Sequence, residues 1–254
     1  ARLARDGRTP ADVARDAAAA LEAFLDANHE SVAALIVEPL VQGASGMVTY
    51  DASYLARARE LCTHYGVHLI ADEIMTGFGR TGTMFACEQA GITPDLMLLS
   101  KGITGGFLPL ACVLASDAIY DAFYDDDTAR GFLHSHSYTG NPLACSAALA
   151  VLDIFRGDAV IEANRSRAAR WDSLAAPLAA HPKVRDFRRC GMIVAFEVGS
   201  GRADFARWCF AEGIARGILL RPIGRTVYLM PPYGIADDEF ALLVDRTCEI
   251  VELA

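Results

Sequence analysis

Leu69-Ile70-Ala71-Asp72-Glu73-Ile74-Met75-Thr76-Gly77-Phe78-Gly79-Arg80-Thr81-Gly82 is the stretch that decides the fold. Residues 67–71, Val67-His68-Leu69-Ile70-Ala71, are apolar but for His68, the pattern of a short, largely buried strand. A carboxylate, Asp72, follows at once. Taking a carboxylate out of water is costly unless a cation or hydrogen-bond donors meet it. Taken alone, Asp72 is compatible with a helix cap, a structural salt bridge, or the partner of a cationic ligand atom. The run Gly77-Phe78-Gly79-Arg80-Thr81-Gly82 also fits the dinucleotide fingerprint G-x-G-x-x-G. Its context argues against that reading. Glu73 to Thr76 separate it from the strand, no long helix follows, and no acidic residue closes a second strand about 20 residues on.

Residues 32–37, 96–99 and 110–115 are further short apolar runs. They end or begin beside polar residues: Glu38-Pro39 after the first, Ser100-Lys101 after the second. Helical patterns lie between them. One starts at Thr9-Pro10, a cap followed by proline at the first position, and runs to about Asn28. Others cover residues 54–65, 142–155 and 160–180. Buried strands alternating with helices predict a parallel or mixed sheet covered on both faces, with its site beyond the strand ends. The pattern then changes. Strands are predicted over 191–198, 218–221 and 227–230, and helices over 203–216 and 237–251. The chain is therefore read as a larger α/β unit over residues 1–156 and a smaller α+β unit over 157–254, divided near Arg156-Gly157-Asp158.

Composition narrows the function classes. The 254 residues are 53% hydrophobic and 22% charged, the balance of a globular chain with a substantial core. A net charge of −9 argues against a general nucleic-acid surface, though one or two placed cations still make a basic pocket. The seven cysteines form no C-x-x-C pair and lie mostly in apolar stretches, so free buried thiols in a reducing cytoplasm are expected. The longest apolar runs fall far short of the roughly 20 residues of a membrane span. His134 and His136 lack an evident third ligand, so no metal site is expected.

Lys101 is a candidate to carry the chemistry. It follows the apolar residues 96–99 and precedes Gly102-Ile103-Thr104-Gly105-Gly106. A lysine so placed can lose its proton by desolvation and attack an aldehyde, and the glycines allow close backbone approach to a planar ligand. An ordinary strand-end lysine fits the local pattern as well.

Five strings occur in order: Val37-Glu38-Pro39, Gln42-Gly43-Ala44-Ser45-Gly46-Met47, residues 69–82, Ser100-Lys101-Gly102 and Gly140-Asn141-Pro142-Leu143-Ala144-Cys145. In that order and spacing the chain resembles the class III aminotransferases over essentially its whole length. The resemblance implies a fold-type I (aspartate aminotransferase-like) large domain with a mostly parallel sheet, and pyridoxal 5′-phosphate (PLP) as cofactor. It implies that Lys101 holds the cofactor covalently and moves the reacting proton. Asp72 would face the pyridine nitrogen, and Glu38 would position the cofactor or answer a substrate-binding arginine. Ser137 stands where the family usually has a threonine that reaches the cofactor phosphate from the neighbouring subunit, so a homodimer is implied. His134 matches the family pattern, and His136 departs from it.

The C-terminal unit carries Ile218-Leu219-Leu220-Arg221-Pro222-Ile223-Gly224-Arg225 and Tyr228-Leu229-Met230-Pro231-Pro232-Tyr233. This resembles the branch of the family that aminates 8-amino-7-oxononanoate in biotin biosynthesis, with S-adenosylmethionine as donor. There Arg221 would bind the substrate carboxylate through its planar fork, with Tyr228 beside it. Arg80 would face the substrate or pin its own loop. An ω-amino acid or ornithine type of acceptor remains open. The chain opens at Ala1-Arg2-Leu3 without methionine and matches only the later part of the family. A fragment or truncated product is therefore expected, lacking the glycine/serine phosphate turn and the aromatic that stacks on the cofactor ring. A non-catalytic domain is the corresponding alternative.

Overall fold

The computed structural model describes residues 7–254; Ala1-Arg2-Leu3 lies outside them. Helix α1, Pro10–Asn28, starts where Thr9 and Asp12 cap each other and proline takes the first turn. The Thr9 amide and hydroxyl and the Arg15 guanidinium hold the Asp12 carboxyl down at about 2. Strand β1, Ala34–Val37, leads to the short hairpin of β2, Val41–Gln42, and β3, Val48–Thr49. Helix α2, Ala52–Tyr65, is capped by Asp51 and stopped by Gly66 in the left-handed region. It delivers β4, His68–Asp72. Then come β5, Leu96–Leu99, and β6, Cys112–Ala115.

These strands form a sheet ordered β1-β4-β5-β6. The first three are parallel and β6 is antiparallel to β5. Leu25, Leu61, Cys62, Val67 and Leu69 make the core that joins α1 and α2 to the sheet. Asp95 fixes the start of the β4–β5 pair. Its carboxylate accepts from the Leu69 amide (2.6 Å) and from Arg59 Nη1 (2.6 Å), and its own amide donates to Leu69 O (2.9 Å).

The second half begins with α3, Asp117–Asp121, and the long α4, Pro142–Gly157. Helix α5, Val160–Leu174, is separated from α6, Ala176–Ala180, by Ala175, where residues 160–180 read as one helix in sequence. Pro177 in the first turn of α6 accounts for the break, because it has no amide to continue the ladder. Strands β7, Val184–Cys190, β8, Ile193–Val198, and β9, Thr226–Leu229, form an antiparallel sheet in that order. Helices α7, Phe205–Ala215, and α8, Asp237–Leu253, complete the unit. Its core holds Trp171 stacked on Phe240 at 3.8 Å, with Phe196, Val194 and Leu220.

Two further differences from the sequence reading occur. Residues 218–221 are not a strand: the Ile218 amide is spent on Gly213 O, closing α7, and Leu220 turns into the core. Strand β7 was not anticipated, because Val184-Arg185-Asp186-Phe187-Arg188-Arg189-Cys190 lacks apolar alternation. A register shift between Arg185 and Arg188, with Asp186 at φ +50°, breaks the period.

Burial raises the Asp95 carboxyl, but the Leu69 amide and the Arg59 guanidinium outweigh it and hold the group below the ordinary carboxylate value. A carboxyl depressed in the folded state stabilises the fold above its unfolded value and loses that contribution as pH falls. Asp95→Asn should therefore lower the urea midpoint at pH 7. Its deficit against the parent should shrink as pH drops below about 3.9. A deficit that stays constant from pH 7 to pH 3 would contradict this.

Candidate active site

The parallel register sets the site. Asp72 closes β4 opposite Leu98 of β5, and the Glu73 amide donates to Leu98 O at 3.0 Å. Lys101 stands three residues beyond Leu98, so the carboxylate and the lysine leave neighbouring strands at the same sheet end. Asp72 is half-buried. Its Oδ1 accepts from the Ile74 amide at 3.1 Å, and among the described residues no protein donor meets Oδ2. Lys101 is exposed and sits at φ +45°, a conformation that costs an L residue roughly 1 kcal/mol or more. Among the described residues no hydrogen bond or ion pair engages its ammonium.

The residues singled out in the sequence line three recesses. Glu38 and Asp72 share one of about 560 Å³, with Gln42, Tyr50 and Tyr54 on its wall. Glu38 Oε2 accepts from the Gly43 amide at 2.9 Å, and Tyr50 Oη donates to the Glu38 carbonyl at 2.7 Å. Burial pushes the Tyr50 phenol well above its ordinary value, so it remains a donor. Lys101 and Arg80 share a second recess of about 430 Å³, whose wall includes Met75, Phe78, Gly102 and Tyr233. Arg221 and Tyr228 share a third of about 400 Å³, largely apolar, with Leu219, Met230 and Ile235. Met230 and Pro232 line both the second and the third. Ser137 stands apart, exposed in the segment 131–139 and lining none of these recesses.

Arg80 is committed to its surroundings. Its Nη1 donates to Pro231 O at 2.9 Å, and its guanidinium lies 4.4 Å from the Tyr233 ring centroid. Burial draws the guanidinium below its ordinary value, and Tyr233 opposes that.

Two groups had no role in the sequence reading. Glu73 is fully buried; it accepts from the Cys87 amide at 2.8 Å and from Thr76 Oγ1 at 2.5 Å. That pairing anchors residues 73–87 from inside. Burial, with Glu73 beside it, pushes the Cys87 thiol far up, so this cysteine is an unreactive thiol. Tyr50 is the other. Neither role is visible locally, since Glu38 lies 12 residues from Tyr50 and Cys87 lies 14 residues from Glu73.

The site fits PLP on its own chemistry. An open carboxylate oxygen suits a ring N–H⁺, and an unengaged lysine amine suits an aldehyde. A Cβ built on Gly102 would lie 2.9 Å from Phe78 Cβ, so only glycine fits beside the lysine. No group of three or more His, Cys, Asp and Glu that could hold a metal ion occurs among the described residues. None of their helices is long and apolar enough to cross a membrane.

This sheet, with a carboxylate and a lysine at its strand ends, is the fold-type I architecture of the PLP-dependent aminotransferases. The chain belongs to the class III aminotransferases, whose family pattern matches residues 5–251. It is 45% identical over 239 residues to the adenosylmethionine-8-amino-7-oxononanoate aminotransferase of Helicobacter pylori, covering 92% of this chain and 55% of that protein. The crystal structure of the enzyme of that name from Methanocaldococcus jannaschii superposes with a TM-score of 0.86 at 34% identity, over 92% of this chain and 56% of that one. An amine transaminase from an uncultivated Pseudomonas species, solved in its PLP-bound form, superposes with 0.88 at 33% identity, over 98% and 59%. The chain thus spans about half the length of the curated relatives it matches.

Glu73→Ala should strand the Cys87 amide and the Thr76 hydroxyl in the core and destabilise the fold by about 2–4 kcal/mol, read from urea unfolding. A loss below about 0.5 kcal/mol would show that those donors find other partners.

Proposed function

We propose that this chain is the lysine-bearing part of a PLP-dependent aminotransferase that converts 8-amino-7-oxononanoate to 7,8-diaminononanoate in biotin biosynthesis, with S-adenosylmethionine as amino donor. The observation that carries the reading is the pair of groups at one sheet end, Lys101 with no hydrogen bond or ion pair and Asp72 with an open oxygen among the described residues. The names of the relatives supply the substrate class.

When bound, PLP draws electrons from the carbon that bears the amine and carries the amino group from donor to acceptor. Lys101 would hold the cofactor and would take the proton from that carbon and return one to the other end of the shift. Asp72 would keep the ring nitrogen protonated. Glu38, fixed by the Gly43 amide, bounds the same recess as Asp72 and keeps the cofactor in register. Ser137, exposed on its segment, is assigned to the cofactor phosphate of a second subunit, which makes the working unit a homodimer. The donor leaves as its oxo product, and the ketone of 8-amino-7-oxononanoate becomes the new amine.

Arg221 is assigned to the substrate carboxylate. It is exposed at the rim of an apolar recess, where a guanidinium can meet the far end of an aliphatic acid while the chain is buried against Leu219, Met230 and Ile235. Tyr228 lines the same recess and orients that end. Arg80 shapes the neighbouring substrate space through its hold on Pro231 and Tyr233. Residues 1–156 are assigned to the PLP-binding large domain and 157–254 to the C-terminal small domain, in line with the separate sheets β1-β4-β5-β6 and β7-β8-β9. We assign the protein to the cytoplasm. The likeness to an amine transaminase favours a second reading, in which a simpler ketone is the acceptor.

Arg221→Ala should raise KM for 8-amino-7-oxononanoate by about 30- to 100-fold, the loss of one charge-assisted pair, with a smaller change in kcat. The assay is amine transfer by the PLP-loaded protein, run in parallel with pyruvate. Unchanged KM together with good transfer to pyruvate would overturn the assignment in favour of the second reading.

A further inference from the structure

The turn that carries Lys101 is held from the far end of the chain. Tyr233 Oη donates to the Phe78 carbonyl at 2.7 Å, across 155 positions of sequence. Phe78 is 3% exposed and sits at φ +56°, a conformation that L side chains rarely adopt. Its ring meets Phe85 at 5.8 Å and Phe155 at 6.2 Å, both near edge-on. The same side chain closes against the backbone of Gly102, where a Cβ would stand 2.9 Å from both Phe78 Cβ and Cδ2. Gly102 follows Lys101, itself at φ +45°. Two strained residues, Phe78 and Lys101, therefore lean on each other through one glycine, and such strain persists only where the surroundings enforce it. Among the described residues, the Tyr233 hydroxyl is the one polar tie from the C-terminal segment to this pair. Arg80 fixes the phenol's position by covering its ring and gripping Pro231 O.

We propose that Tyr233 is a positioning residue for Lys101, acting through the Phe78 carbonyl and the Phe78–Gly102 contact. Its role is to hold the lysine turn in its left-handed form. The proposal deepens the reading of Lys101 as the cofactor lysine and rests on it for its catalytic meaning. The path itself can be tested without the cofactor.

The test uses Tyr233→Phe, which keeps the ring under Arg80 and removes only the hydroxyl, and Phe78→Leu, which removes the ring face on Gly102. Amide hydrogen exchange is followed in cofactor-free protein. Tyr233→Phe should speed exchange about fivefold in two segments, residues 76–80 and 100–106, with the rest of the chain unchanged, as loss of one net hydrogen bond requires. Phe78→Leu should loosen residues 100–106, and the double variant should be no looser there than Phe78→Leu alone. The rate at which added PLP becomes fixed to Lys101, trapped with borohydride and located by mass spectrometry, should fall by a similar factor. Exchange at 100–106 unchanged in Tyr233→Phe, or raised equally over the whole chain, would overturn the proposal and leave Tyr233 a general support. Failure of the parent protein to fix PLP at Lys101 would overturn the cofactor reading instead, and the exchange data would still decide the path.

Discussion

The parallel pairing of β4 with β5 is the constraint on which the rest of the molecule depends. Asp95 locks one end of that pair through Leu69 and Arg59. With the register fixed there, Asp72 must arrive opposite Leu98, and Lys101 must emerge just beyond it. A slip of β4 by one residue would send Asp72 to the opposite face of the sheet. The strands that carry the chemistry contribute almost nothing polar before their ends. The apolar runs serve to deliver a carboxylate and an amine to the same edge.

A second junction joins this sheet to the C-terminal one. The Met192 amide donates to Arg80 O at 2.9 Å, and Arg165 Nε donates to Gly82 O at 2.6 Å. A side chain at Gly191, at φ +55°, would overlap the backbone of Arg80 and Thr81, so glycine is required for the β7–β8 turn to sit there. The loop 77–82 is thus gripped from α5, from the β7–β8 turn and from the 231–233 segment. Its glycines, which resemble a nucleotide fingerprint, serve instead to let three elements close on one turn. The lysine recess lies beside that grip, which makes its shape a property of both halves of the chain.

Much of this was legible beforehand. Pro10 after Thr9, the runs at 67–71 and 96–99, and the polar residues closing them announce the helices, the strands and the site end. What escaped depends on hydrogen-bond partners and strand irregularities that the side-chain pattern does not record. β7 hides in an arginine-rich stretch because its bulge breaks the period of two. Residues 218–221 look like a strand because their apolar run says nothing of the Gly213 carbonyl that claims Ile218. Glu73 reads as a second acid beside Asp72. Only the fold reveals that one carboxylate is sealed inside against Cys87 and Thr76 while the other keeps an oxygen open. The division of the singled-out residues among three recesses was likewise beyond sequence; the two that hold Lys101 and Arg221 adjoin through Met230 and Pro232, while Asp72 lies in the third.

The central claim is that Lys101 is the residue to which PLP becomes attached. The most direct measurement is the visible absorbance of the purified chain after addition of PLP and removal of the excess, beside the same experiment on Lys101→Ala. The account predicts a protein-bound visible band in the parent chain that is absent from the variant. A band of equal strength in both would place the cofactor on another amine and contradict it.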